Sequence, residues 1–301
     1  MKFVAVLNRD GGTLRTADLD ALCARMRQVL GEAGHSLAID AVGGNEVGAH
    51  LEKAASKRGV DVVLAGGGDG TISAAAARLM NRKKALAVLP AGTMNLFARG
   101  LGIPQDLDAA VAAFAGGRIV DVDMASANGR PFVHQFSIGL HAKMVHLREK
   151  MEFGSRSGKI RASLRAGWMT LRNPPRMTVD LAVGEARVRV RTTGIGITNN
   201  LFGEGHLPYA DKPDGGVLGI YVASPSRPGE MLRFFYDTLR GRWRDSQHVE
   251  VLQGGTAVIG LHAAARRFPA VIDGELVQLD PVTRFEIHRG ALKVLVPDAT
   301  P

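Results

Sequence analysis

Gly66-Gly67-Gly68-Asp69-Gly70-Thr71 stands directly after the apolar run Val60-Asp61-Val62-Val63-Leu64-Ala65. The run has the length and β-branched content of a buried strand. The glycines that follow remove the side chains that would block a close backbone approach. From Thr71 onward, 72–80 reads as a helix. Strand, glycine turn and helix start together aim backbone N–H groups at one point, an arrangement suited to phosphate. The same residues would also serve as a plain strand-to-helix turn. No Gly-Lys-Ser/Thr follows, so this is not a Walker A loop. Thr71 stands where the dinucleotide fingerprint needs its third glycine.

A second loop repeats the pattern. Leu86-Ala87-Val88-Leu89 reads as a short buried strand, Pro90-Ala91-Gly92-Thr93-Met94-Asn95 follows, and Leu96-Phe97-Ala98-Arg99 begins a helix. Thr93 and Asn95 offer a hydroxyl and an amide to a ligand, or cap the helix. Far along the chain, Asp273-Gly274-Glu275 places two carboxylates around a glycine after Ala270-Val271-Ile272. Carboxylates so placed suit proton transfer, and Asp-Gly is equally a strong hairpin signal.

The elements that must position these residues fall into two halves. Strands are expected at 2–7, 36–42, 60–65, 86–89 and 118–124, and helices at 18–33, 45–58, 71–80 and 107–115. This alternation predicts an open parallel α/β sheet covered by helices, with its loops at the carboxyl edge. Asn8-Arg9-Asp10-Gly11-Gly12 would join that edge. After a turn at 125–130 the pattern changes to strands at 132–138, 178–183, 186–198, 217–223, 248–252, 256–261, 270–273 and 284–288. One helix is expected among them, at 230–239. That half reads as a mainly antiparallel β-sandwich. The domains expected are 1–124 and 125–289, with 290–301 returning to the first.

Taken in order, Gly66–Thr71, Pro90–Asn95 and Asp273–Glu275 resemble the diacylglycerol kinase catalytic-domain family. That family includes bacterial lipid kinases, sphingosine kinases and ceramide kinases. The resemblance runs from Asn8 to the strands beyond Glu275. The first motif is shared with NAD kinases and, more loosely, with phosphofructokinases, whose fold the first domain would share. The resemblance implies an ATP- and Mg²⁺-dependent kinase acting on a hydroxyl of a membrane lipid, diacylglycerol-like or sphingoid, held in a cleft between domains. Asn8, Gly66, Gly67, Gly68, Asp69, Gly70, Thr71, Thr93, Asn95 and Glu275 would then serve the nucleotide, and Asp273 would be the catalytic base. The segment Pro213-Asp214-Gly215-Gly216 resembles the family's Mg²⁺-binding Asp-Gly segment, so Asp214, helped by Asp211, would hold metal. Two positions depart from the family: His141 in Gly139-Leu140-His141-Ala142, and Leu96 after Asn95, both where an aspartate is usual. His141 alone reads as structural or hydrogen-bonded. The alternatives are an NAD kinase-like phosphotransferase and a nucleotide- or lipid-binding regulator without catalysis. Relatives of this kind form dimers, and a homodimer is compatible with the resemblance.

Composition agrees with an enzyme of that kind. The 301 residues are 46% hydrophobic, enough for two cores. No stretch reaches the roughly 18 apolar residues of a membrane span. A short apolar start and a single cysteine, Cys23, suggest a cytoplasmic chain without disulfides, Cys23 being a small core residue. The net charge is +9. Between Lys143 and Arg172 lie eight basic residues against two acids, Glu149 and Glu152. Ile160, Leu164, Trp168 and Leu171 recur there at helical spacing, so a basic amphipathic helix is expected. It would touch an anionic membrane peripherally, or pack on its own sheet. No nucleic-acid motif accompanies it, and no His/Cys cluster has zinc spacing.

Overall fold

The computed structural model describes residues 1–149, 174–203, 209–224, 229–230, 233, 236–237, 246–262 and 269–298. It divides into two compact units, Met1–Met124 with Lys212–Asp214 and His288–Pro301, and Ala125–Asp211 with Gly215–Ile287.

The first unit is an α/β sheet. Its strands β1 (Lys2–Asn8), β2 (Ser36–Val42), β3 (Val62–Gly67) and β4 (Ala85–Pro90) pair in parallel in the order β2-β1-β3-β4. The end of the last strand, β16 (Val282–Val296), adds to β4 in parallel, with Lys293 opposite Ala85 and Val294 opposite Leu86. Every residue of β3 and β4 is buried, as continuous apolar runs in a two-face-covered sheet require. Helix α1 (Leu19–Glu32) packs with α5 (Leu107–Ala115), and α2 (Val47–Ser56) packs with α3 (Asp69–Leu79). Asp18 and Asp106 cap α1 and α5 by accepting the N–H of Ala21 at 3.0 Å and of Ala109 at 2.9 Å, each cap contributing about 1 kcal/mol. Cys23 is half-buried on α1 and unpaired, and burial pushes its thiol up. Because β2 and β3 flank β1 on opposite sides, the chain reverses direction across the sheet there, and ligands bind beside such a reversal.

The second unit is an antiparallel sandwich. One sheet has the order β12 (Val249–Gly254), β11 (Leu218–Ala223), β10 (Gly194–Asn199), β7 (Gln135–Gly139), β14 (Ala270–Ile272) and β15 (Glu275–Val277). The other pairs the first part of β16 with β13 (Thr256–Leu261), then β8 (Met177–Val183), then β9 (Ala186–Thr192). Phe136, Ile138, Ile195 and Ile197 from the first sheet share one core with Val179, Leu181, Ile259 and Phe285 from the second. Phe136 meets Phe285 edge-to-face at 4.8 Å.

Three boundaries differ from the sequence reading. The run expected as one strand over 186–198 divides at Thr193, with β9 and β10 in different sheets. Thr192 anchors the crossover, its hydroxyl donating to the Ala223 carbonyl at 2.5 Å and accepting the Gly194 N–H at 3.1 Å. The run over 132–138 divides likewise into β6 (Arg130–Phe132), which pairs with β5 (Arg118–Ala127), and β7. The strand expected at 284–288 is longer, running from Val282 through Gly290 at φ +58° to Val296. Helix α4 (Leu96–Gly100) follows the second loop, and α6 (Leu140–Glu149) follows β7. Most of the helix expected at 230–239, and of the basic segment beyond Glu149, lies outside the described residues.

Gly139 holds the junction of β7 and α6 at φ +81°, where an added Cβ would overlap the Thr193 carbonyl. Gly139→Ala is expected to cost at least about 2 kcal/mol. That lowers the Tm by roughly 4–8 °C for a unit of this size. An unchanged melting curve would remove this constraint from the account.

Candidate active site

Three loops meet at the carboxyl edge of the parallel sheet. The N–H of Thr13 donates to the Ala91 carbonyl at 2.7 Å, and the N–H of Ala91 donates to the Gly67 carbonyl at 3.0 Å. Asn8 Nδ2 reaches Thr71 Oγ1 at 3.2 Å, while its Oδ1 accepts the Asp10 N–H at 3.1 Å. The loops after β1, β3 and β4 are thereby bonded to one another. A Cβ on Gly92 would lie 2.8 Å from the Gly68 Cα, so the loops after β3 and β4 touch backbone to backbone.

Asp69, the acid within the first glycine loop, is held by backbone donors of the next loop. Helix α3 starts at Asp69, two residues earlier than the sequence reading placed it. Asp69 Oδ2 accepts the Asn95 N–H at 3.2 Å and Oδ1 accepts the Leu96 N–H at 3.0 Å. The carboxylate therefore serves the backbone at the start of α4, while in the first turn of α3 the N–H groups of Thr71 and Ile72 donate to the Gly68 carbonyl at 2.9 and 3.2 Å and those of Asp69 and Gly70 precede the helical ladder. Asn95 is held at φ +48°. Its Oδ1 accepts the Gly92 N–H at 2.8 Å, and its Nδ2 donates to the Gly92 carbonyl at 3.0 Å and to Gln105 Oε1 at 3.3 Å. Gln105 in turn donates to the Ile103 carbonyl at 2.8 Å. Sequence reasoning missed Gln105, which lies outside every motif and beyond α4. Gly66 and Gly67 close β3, Gly70 lies in the first turn of α3, and Thr93 is exposed at the tip of its loop.

In the second unit, Asp273 and Gly274 are the two central residues of the β14–β15 hairpin, with Ile272 paired to Glu275. Both have positive φ, +47° and +88°, as in the hairpin turns that favour Asp-Gly. The turn reading and the functional reading therefore coincide on the same residues. Asp273 Oδ1 accepts the N–H groups of His134 and Gln135, and Oδ2 accepts that of Val133, all at 3.0 Å. Its own N–H donates to the Gln135 carbonyl at 2.9 Å. These bonds sit at the point where β6 and β7 part. A carboxylate has about four lone-pair sites, and backbone donors occupy most of them here. Glu275 differs: its side chain is exposed and meets Arg130 Nη2 at 3.4 Å. The His134 ring stacks on Phe202 at 5.3 Å, and Phe202 stacks on Tyr221 at 5.3 Å. His141 Nδ1 lies 2.7 Å from Ser137 Oγ, a hydrogen-bonded pair. Burial lowers the Lys143 ammonium below its usual range, so this first member of the basic segment is not wholly solvated.

Asp211 and Asp214 are both exposed and fall in different units. Among the described residues no group of three or more His, Cys, Asp or Glu could hold a metal ion. The chemistry of hard oxygens suits Mg²⁺, but the described side chains do not assemble such a set. Among the described residues no helix is long and apolar enough to cross a membrane.

Comparison with known proteins agrees with this architecture. Residues 2–127 match the diacylglycerol kinase catalytic domain, and residues 137–296 match the YegS C-terminal NAD kinase beta sandwich-like domain. An uncharacterized protein of Synechocystis is 28% identical over 74% of this chain, which spans 52% of that relative's length. A Salmonella paratyphi A protein named "Probable lipid kinase YegS" is 27% identical over 82% of each chain. The fold matches a crystal structure of a diacylglycerol kinase from Bacillus anthracis str. Sterne with TM-score 0.72. Identity there is 22%, and the match covers 100% of this chain and 98% of the other. With both domain models matched in order over almost its whole length, the chain belongs to the diacylglycerol kinase family of YegS-like lipid kinases.

Proposed function

We propose that this chain transfers the γ-phosphoryl group of ATP to a hydroxyl of a membrane lipid, diacylglycerol-like or sphingoid. The observation that carries the reading is the bonding of three glycine-bearing loops at one sheet edge, with Asp69 and Asn95 fixing the second loop against the first. Phosphoryl transfer asks mainly for positioning and charge neutralisation, and a backbone cradle at the start of an eleven-residue helix supplies both. Gly66 to Thr71 would receive the phosphates, and Thr93 would offer its exposed hydroxyl. Mg²⁺, carried in on the β- and γ-phosphates, would neutralise their charge. The lipid oxygen forms a bond to the γ-phosphorus as the bond to the β-phosphate oxygen breaks, ADP leaves, and the hydroxyl proton passes to a carboxylate. Glu275 is the carboxylate suited to that proton, because it is exposed and not held by backbone donors. Asp273, engaged by three amides, positions the hairpin that carries Glu275. This proposal exchanges the roles of the sequence-based reading, which gave the base to Asp273 and Glu275 to the nucleotide. The lipid class rests on the names of the relatives, and anionic membrane contact through 143–172 rests on charge.

Transfer of labelled phosphate from ATP to a lipid panel in mixed micelles with Mg²⁺ tests the reading. A labelled lipid is expected. Phosphorylation of NAD instead, or of nothing, would refute it. Glu275→Gln is expected to lower kcat about 10²–10⁴-fold with little change in KM for ATP. Asp273→Asn is expected to lose roughly 1–3 kcal/mol of stability, with activity falling in step with the folded fraction. A folded, inactive Asp273→Asn beside an active Glu275→Gln would reverse the two roles. Gln105→Ala, which frees Asn95 Nδ2, is expected to raise KM for ATP about 5-fold with kcat nearly unchanged. An unchanged KM would leave Gln105 outside the site.

A further inference from the structure

The outer face of the sheet formed by β16, β13, β8 and β9 carries an open trough of about 700 Å³. Its existence follows from strand periodicity. Val179, Leu181, Ile259 and Phe285 are buried in the sandwich core, so their neighbours along each strand face outward. Ala182, Val258 and Gly260 form a floor of small residues, and Arg187, Arg189 and Arg284 stand along the two sides. Register places Arg187 opposite Ala182, Ala182 opposite Val258, and Val258 opposite Arg284. This single row across four strands separates the two arginine backbones by about 14 Å. Arg191 continues the stripe along β9.

The charge of the trough is positive. Asp180 is the acid within it, and it is bonded to Arg189 Nε at 2.6 Å and to His262 Nε2 at 3.0 Å. Among the described residues no ion pair forms on Arg187 or Arg284. Val282, opposite Gly260, lies at the side of the trough and is 49% exposed. Arginine beside an exposed aliphatic side chain is the chemistry of an anionic lipid interface. A single-stranded nucleic acid would call for aromatic stacking platforms, and no aromatic residue lines the trough.

We propose that this trough seats the headgroups of anionic phospholipids, making the outer face of the β16-β13-β8-β9 sheet a membrane-docking surface. The proposal concerns binding alone and is tested without phosphoryl transfer. Cosedimentation of the full chain with phosphatidylglycerol/phosphatidylcholine vesicles, and with phosphatidylcholine alone, measures it. Each arginine near an anionic surface accounts for about a 5-fold gain in partitioning, so Arg187→Gln/Arg284→Gln is expected to bind the anionic vesicles about 25-fold more weakly. The charge control Arg58→Gln is expected to fall no more than about 2-fold, and neutral vesicles are expected to bind none of these proteins. Equal losses in the double variant and the control would overturn the proposal. So would binding of inorganic phosphate in the trough without binding of vesicles. Arginines on the edge strand β9 also block edge-to-edge pairing; a double variant that self-associates while keeping full vesicle affinity would assign them that duty instead. Should the double variant fail to fold, an environment-sensitive dye on Val282→Cys in a Cys23→Ala background carries the test. A blue shift on anionic vesicles is expected, and an unchanged spectrum on protein that cosediments would refute docking by this face.

Discussion

A carboxylate that accepts backbone N–H groups from a distant loop is the interaction on which the candidate residues of each unit depend. Asp69 binds the N–H groups of Asn95 and Leu96, and Asp273 binds those of Val133, His134 and Gln135. Bonds from amides to an ionised acceptor are among the stronger ones in proteins, roughly 1.5–3 kcal/mol each. They are also directional. One aspartate can therefore fix where a second segment runs, which an apolar contact cannot do. In the first unit this turns two separate strand-to-helix loops into one surface. In the second it makes the point where β6 and β7 part the anchor of the hairpin bearing Glu275.

The two units supply different things because their sheets differ. A parallel sheet places consecutive loops on one edge, and the helix starts there carry unpaired N–H groups. An antiparallel sandwich offers tight hairpins, which hold a side chain at a defined tip. Asp273-Gly274 uses the two positive-φ positions of such a hairpin, leaving Glu275 as the first residue of β15. The sandwich core, with Phe136 against Phe285, gives that hairpin a rigid base.

Much of this was legible in the chain. The βα alternation, the glycine loops, the Asp-Gly turn and the change to antiparallel strands all rest on local signals, with periods of 2 and 3.6 residues and fixed turn chemistry. What the chain did not disclose depends on partners far away in sequence. Asp69 acts on residues 26 and 27 positions later. Gln105 acts on Asn95 across α4. Strand patterning alone could not show the sheet changes at 133–134 and at Thr193, because the hydrogen bonds that fix them come from Asp273 and Ala223. The last strand read as ending at 288 because a glycine, Gly290, ordinarily ends a run. The metal reading of Asp214 with Asp211 came from the resemblance, and among the described residues no group of three or more His, Cys, Asp or Glu gathers there.

The central claim is that Asp69 acts on the phosphate cradle by holding the second loop, and not by touching the ligand. Calorimetric titration of wild type and Asp69→Ala with ATP in Mg²⁺, and with adenosine, tests it most directly. Loss of about 2 kcal/mol of loop anchoring predicts ATP affinity weakened about 30-fold, with adenosine affinity unchanged. Equal ATP affinities in two folded proteins would contradict the account.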